Sequence, residues 1–94
     1  MSDINQIEFS EISKKDELKS IIESLLFVSG EPLALKDICR IVEEDFKYVE
    51  DLMRELINIY NGDSSRGIKI ISLNGTYQLV TKTKNSEYVQ KLLK

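Results

Sequence analysis

Histidine is absent from the 94 residues, cysteine and proline occur once each, and glycine occurs four times. Without histidine the chain lacks the commonest acid/base catalyst and every imidazole metal ligand. A lone Cys39 forms no internal disulfide, supplies no metal-ligand set and has no histidine to pair with as a nucleophile. No run of about 18 apolar residues spans a bilayer, and no basic start followed by an apolar centre marks a secretory signal, so the cytoplasm is the expected compartment. Scarce proline and glycine, with 41% apolar and 31% charged residues, describe an ordinary globular domain rather than a fibrous or disordered chain. A chain this short buries about 60% of its unfolded surface around one core. No internal repeat or low-complexity segment interrupts it.

Positive charge is scarce in the first two thirds. Residues 1–65 carry 7 Lys/Arg against 15 Asp/Glu, whereas residues 66–94 carry 6 against 1. Charges separated in this way steer association between surfaces of opposite sign.

The hydrophobic spacing predicts the elements. MSDINQIEFSEI has scattered apolar residues without a clean period, so residues 1–12 read as a mobile arm ahead of a domain over residues 13–94. Ser13 and Asp16 resemble a capping box, and Leu18, Ile21, Ile22, Leu25, Leu26 and Val28 form the predicted core stripe of a first helix. Gly30 supplies its left-handed end and Pro32 forbids continuation. Leu35, Ile38, Cys39 and Val42 define a second helix ending near Glu43. Asp45 is the candidate cap of a third, whose apolar positions Phe46, Val49, Leu52, Met53, Leu56, Ile57 and Tyr60 run up to Asn61-Gly62. IKIISL and TYQLVTK flank Asn74-Gly75, the two-residue turn of a tight hairpin. Asn85 or Ser86 then caps a short helix carrying Tyr88, Val89, Leu92 and Leu93. The expected fold is α+β, mainly α: a winged helix-turn-helix of three helices, a β-hairpin wing and a C-terminal helix.

Three passages, IIESLLFVSGEPLALKDI, RGIKIISLNGTYQLVTK and EYVQKLL, together resemble the N-terminal domain of the bacterial segregation and condensation protein B (ScpB) family. They cover about half of the chain in the family's order. Two departures stand out: Ala34 replaces the Ser or Thr that often caps the second helix, at about 1 kcal/mol, and a proline common after the second strand is missing from TKTKNSE. The resemblance implies the first of two winged-helix domains in a non-enzymatic subunit without cofactor. It also implies a homodimer that clasps the central part of the kleisin ScpA and, through it, joins the SMC ATPase on the nucleoid in chromosome condensation and segregation.

The residues themselves bear on whether such a motif grips DNA or protein. A DNA-reading third helix needs a basic exposed face. Here Lys47, Glu50, Asp51, Arg54, Glu55 and Asn58 carry a net charge of −1, with Glu43, Glu44 and Asp45 immediately before them. Those three carboxylates have no catalytic spacing with a His, Cys or Lys, so an enzyme is not expected. Phe27, opposite the middle of the first helix's stripe, and Tyr48, Leu52 and Ile59, which widen the third helix's apolar face, are the candidate protein-interface residues. Core burial is the competing account of each. The alternative function is a winged-helix DNA binder touching phosphates through Arg66, Lys69, Lys82 and Lys84, against which stands the plain reading of these lysines as solubility charges. Direct DNA binding is therefore expected to be weak or absent.

Overall fold

No proline or glycine lies between Asp3 and Ser29, and in the computed structural model one helix, α1 (Asp3–Ser29), runs unbroken across that span. The structure describes residues 3–94, with side chains from residue 10 onward. The helix start expected at Ser13 is thus corrected. Ser13 lies inside α1, because one serine costs under about 0.7 kcal/mol in a helix interior whereas stopping and restarting the helix requires a new nucleus. The side chains of Ile4, Ile7 and Phe9 lie outside the described residues, as does Met1–Ser2 of the expected arm.

Only a narrow strip of α1 reaches the core. Leu18, Ile22 and Leu26 are buried, Leu25 is half-buried, and Ile21 and Val28 are exposed. At about 100° per residue, Ile21 and Val28 lie roughly 100° and 120° from the Ile22 axis, beyond what a single packed layer covers. Their assignment to the stripe is therefore corrected. Phe27, about 140° from that axis, points outward as expected and is 78% exposed.

Gly30 takes φ 64° and turns the chain at the end of α1. Leu33 and Ala34 then form a short strand, β1 (Leu33–Ala34), that the sequence did not announce. The next helix, α2 (Leu35–Val42), starts without a side-chain cap at Ala34. The Leu35 N–H donates instead to the Gly75 carbonyl at 2.9 Å, so the hairpin turn satisfies one of the helix's free donors. Glu43 ends α2 in the left-handed conformation. Asp45 occupies the N-cap of α3 (Phe46–Gly62) but makes no side-chain cap bond, which corrects the capping role expected of it.

Along α3 Val49, Leu52, Met53, Leu56 and Tyr60 are buried, following the three-and-four spacing. The hairpin strands are β2 (Ile68–Leu73) and β3 (Thr76–Thr81), joined by Asn74 and Gly75 with φ of 52° and 74°, the positive pair such a turn needs. The antiparallel sheet runs β1-β3-β2, with Leu33 opposite Tyr77 and Ile70 opposite Leu79. Ile70 and Tyr77 close the core over the helices. A 3-10 turn (Thr83–Asn85) leads into α4 (Ser86–Leu93), where Asn85 stands at the N-cap without a side-chain bond. No residue of α4 is fully buried. The architecture is a winged helix-turn-helix in which β1 extends the wing to three strands.

Candidate protein-interaction surface

The exposed side of α3 holds its cations inside a local ion network. Lys47 Nζ lies 3.2 Å from Asp51 and 3.9 Å from Glu50, and the Arg54 guanidinium lies 3.7 Å from Glu50 and 3.6 Å from Asp51. Two cations thus share two carboxylates at helical i,i+3 and i,i+4 spacing, which cancels the positive field that phosphate would need. On the flank facing α1, Glu44 accepts from Lys14 at 2.9 Å, and this bond raises the Lys14 ammonium above its ordinary range. Glu55 lies 3.2 Å from Lys19 and 3.9 Å from Lys15.

The wing cations are spent in a similar way. Lys82 is 9% exposed and donates to the Asp63 carbonyl at 2.6 Å. Lys84 donates to the Ser64 carbonyl at 2.6 Å. Arg66 lies 3.6 Å from the Asp63 carboxylate, with its guanidinium 4.6 Å from the centre of the Tyr60 ring. Asp63 also accepts from the Ser65 hydroxyl and N–H at 2.6 and 2.9 Å; these bonds first, then Arg66 and Lys82, hold its carboxyl below the ordinary range. Three of the four candidate phosphate contacts therefore fasten the loop between α3 and β2. Lys69 is half-buried on β2.

The four candidate interface residues do not form one surface. Leu52 is 1% exposed and belongs to the core, a correction that follows from the closeness of α1, which covers this side of α3. Tyr48 is half-buried beside a small cleft with Lys15, Asp51, Leu52 and Glu55; Lys14 Nζ lies 5.5 Å from its ring centre, and its buried hydroxyl has no hydrogen-bond partner among the described residues. Ile59 is exposed on α3. Phe27 alone opens onto a substantial concavity, an apolar groove of about 400 Å³ lined by Glu23, Ser24, Phe27 and Val28 of α1, Ile68 of β2 and Leu79 of β3. Sequence periodicity had assigned Val28 to the core; its displacement of roughly 120° from the Ile22 axis makes it a groove wall instead, while Leu79, packed against the core from β3, closes the groove on the other side. Tyr88, Leu92 and Leu93 of α4 form a second exposed apolar set.

The family model for the segregation and condensation complex subunit ScpB matches residues 20–94. The chain belongs to the ScpB family. Segregation and condensation protein B of Clostridium perfringens is 99% identical over the whole of this chain, and that of Clostridium acetobutylicum 54% identical. The chain spans about half the length of these curated relatives, 48% and 47% respectively. Among solved ScpB structures, the dimer of an ScpB N-terminal domain complexed with a ScpA peptide superposes with a TM-score of 0.78 at 31% identity, covering 82% of this chain and 95% of its own. ScpB from Mycobacterium tuberculosis gives the same TM-score at 25% identity, covering 84% of this chain and 49% of its own. Residues 3–19, the first part of α1, precede the span matched by the ScpB family model. No helix of the described residues is long and apolar enough to cross a membrane.

Proposed function

We propose that this chain is the self-associating, non-enzymatic winged-helix module of an SMC–ScpA–ScpB complex, acting in chromosome condensation and segregation as a homodimer that holds the kleisin ScpA. The observation that carries the reading is the ScpB N-terminal domain that crystallised as a dimer on a ScpA peptide and shares the fold of this chain over most of its length. The surface chemistry agrees. An α3 face with self-cancelled charges has little to offer a phosphate backbone, whereas the Phe27 groove offers apolar area whose burial stabilises a complex by about 25 cal/mol per Å² before association costs. Through ScpA the module joins the SMC ATPase, which places its action on the nucleoid in the cytoplasm. A second winged-helix domain in the remaining length of the protein belongs to the same proposal.

Sedimentation of the purified chain at micromolar concentration tests the self-association, and titration with a synthetic peptide from the central part of ScpA tests the kleisin contact. A dimer weakened by Phe27→Asp, together with saturable peptide binding, is the expected result. A strict monomer that ignores the peptide overturns the proposal. The competing DNA reading predicts a low-salt gel shift lost in Lys82→Glu and Lys84→Glu; the two hydrogen bonds that occupy these ammonium groups argue against it.

A further inference from the structure

The strand β3 is paired along one side and largely open along the other. The Lys82 N–H donates to the Gly67 carbonyl at 2.8 Å, and with the register of the hairpin this makes Val80, Gln78 and Thr76 the residues of β3 that exchange hydrogen bonds with β2. Tyr77, Leu79 and Thr81 therefore turn their N–H and C=O groups to the opposite side. There β1 covers Tyr77 through Leu33 and goes no further. Carried on in register, Glu31 would stand opposite Leu79; instead Gly30 turns the chain at φ 64°, and the Glu31 carbonyl accepts from the Ser29 hydroxyl at 2.9 Å. The backbone groups of Leu79 and Thr81 are left without a hydrogen-bond partner among the described residues. This open edge borders the Phe27 groove, whose walls include Leu79 itself and Ile68, the residue opposite Thr81 in the ladder. Tyr77 and Leu79 share the sheet face that packs on the helices, so a residue paired with Leu79 would send its side chain to that face, into the groove, and its neighbours out to water. Glu23, the one charged residue lining the groove, has no ion pair among the described residues and favours a cation beside it.

We infer that this edge takes up an extended segment of the kleisin by strand addition: a stretch of ScpA pairs its backbone with Leu79 and Thr81, drops an apolar side chain between Leu79 and Val28, and sets a lysine or arginine against Glu23. The inference rests on the kleisin reading and names its place and mode. An extended polypeptide is the occupant because the site makes two demands that a strand meets together: backbone donors and acceptors left free along one edge, and apolar space on the face to which a paired residue points. A helix has its own backbone groups bonded, and a nucleic acid would bring phosphate to a groove whose single charge is negative. A second copy has no free strand to lend, since Asn61 occupies the outer side of β2 at Ile70 and the open edge of β3 lies inside the same groove.

Amide exchange followed by NMR, with and without a synthetic peptide from the central part of ScpA, provides the test. Saturating peptide is expected to slow exchange of the Leu79 and Thr81 amides at least about tenfold, with the Val80 amide, already donating within the ladder, as the internal reference. Thr81→Pro deletes an outward donor without touching the β2 ladder, and Val28→Asp places a charge on an exposed groove wall; each is expected to raise the dissociation constant of the peptide at least about tenfold with the circular dichroism of the fold intact. Peptide that binds while Leu79 and Thr81 exchange as before overturns the strand addition and leaves the kleisin contact standing elsewhere on the chain. Undiminished affinity in Val28→Asp has the same meaning, and this variant carries the test where Thr81→Pro fails to fold. Protection of both amides that is present without peptide and lost on dilution gives the edge to a second copy and also overturns the inference. Absence of any peptide binding removes the strand addition together with the kleisin contact beneath it.

Discussion

Asn61 should be worth more to the fold than its place at the end of a helix suggests. Its side-chain amide donates to the Ile70 carbonyl at 3.2 Å, and its carbonyl oxygen accepts from the Ile70 N–H at 3.0 Å. Since β2 is an edge strand and its Ile70 faces Leu79 across the ladder, these bonds give the outward backbone groups of Ile70 the partner a fourth strand would have supplied. The clip joins α3 to the hairpin whose first residue, Ile68, walls the Phe27 groove. Each neutral hydrogen bond contributes about 1 kcal/mol, and because Asn61 is itself exposed, water replaces part of what is lost. Asn61→Ala is therefore expected to cost about 1–2 kcal/mol, a fall of roughly 5–10 °C in thermal midpoint for a domain of this size. Urea unfolding followed by far-UV circular dichroism measures it directly. Asn61→Asp sharpens the test: a carboxylate still accepts from the Ile70 N–H but confronts the Ile70 carbonyl with a second acceptor. Its deficit at neutral pH should match or exceed that of alanine and should shrink as the pH falls into the carboxyl titration range. A loss for Asn61→Ala within the ~0.5 kcal/mol scatter of ordinary surface substitutions would refute the clip.

Lys82→Met keeps the apolar stem but removes the donor to the Asp63 carbonyl, so it should lower stability by about 1–2 kcal/mol while leaving any duplex affinity in a low-salt gel shift unchanged; the opposite pattern would make Lys82 a phosphate contact. Burial pushes the Cys39 thiol up, so native protein at mildly alkaline pH should react with iodoacetamide more slowly than urea-unfolded protein, and equal rates would contradict its place beside the core. The Asp63 carboxyl titrates below its unfolded value, so its contribution is fully present above that value and is lost as the pH falls through the lowered one. Asp63→Asn should accordingly flatten the acid limb of stability below about pH 4, and an unchanged slope in acid-titrated unfolding would exclude the Ser65 and Arg66 contacts as its cause.

Where one residue dictates one backbone geometry, the sequence was a good guide. Gly30 and the Asn74-Gly75 pair occupy the positive-φ positions their identities call for, and Pro32 separates α1 from α2. Amphipathic spacing placed Ile22, Ile38 and Met53 in the core correctly. It overestimated the α1 stripe because periodicity records which residues are apolar, whereas burial depends on how much of the helix another element covers; Ile21 and Val28 fell outside that cover. The start of α1 was missed because Ser13 and Asp16 form a capping pattern that also fits, unused, inside a continuous helix. β1 has only two residues and owes its existence to Thr76 and Tyr77, 42 and 44 positions from their partners, so no local signal could reveal it. Phe27 was legible as an outward aromatic, but the groove it borders needed the hairpin's position in space. Lys82 carried no sign of burial, since its partner is a backbone carbonyl that every residue possesses.

The fate of the basic tail explains how a fold suited to nucleic acid comes to offer so little to it. Six cations lie in residues 66–94. If all were free to contact phosphate, counterion release would make affinity fall about a thousandfold between roughly 50 and 200 mM salt. Arg66, Lys82 and Lys84 are committed to the loop between α3 and β2, and Lys91 to Glu87. Lys69 and Lys94 remain without an ion pair or side-chain hydrogen bond among the described residues, and two contacts give a fall of only about tenfold over the same range. The electrostatic drive toward DNA is thus reduced before sequence readout is considered, and α3, with its cations matched by Glu50 and Asp51, has none to restore it. The wing's lysines instead brace the hairpin against the helices. That bracing holds the hairpin that carries Ile68 and Leu79, so the charges withheld from phosphate support the wall of the apolar groove opposite Phe27 and Val28.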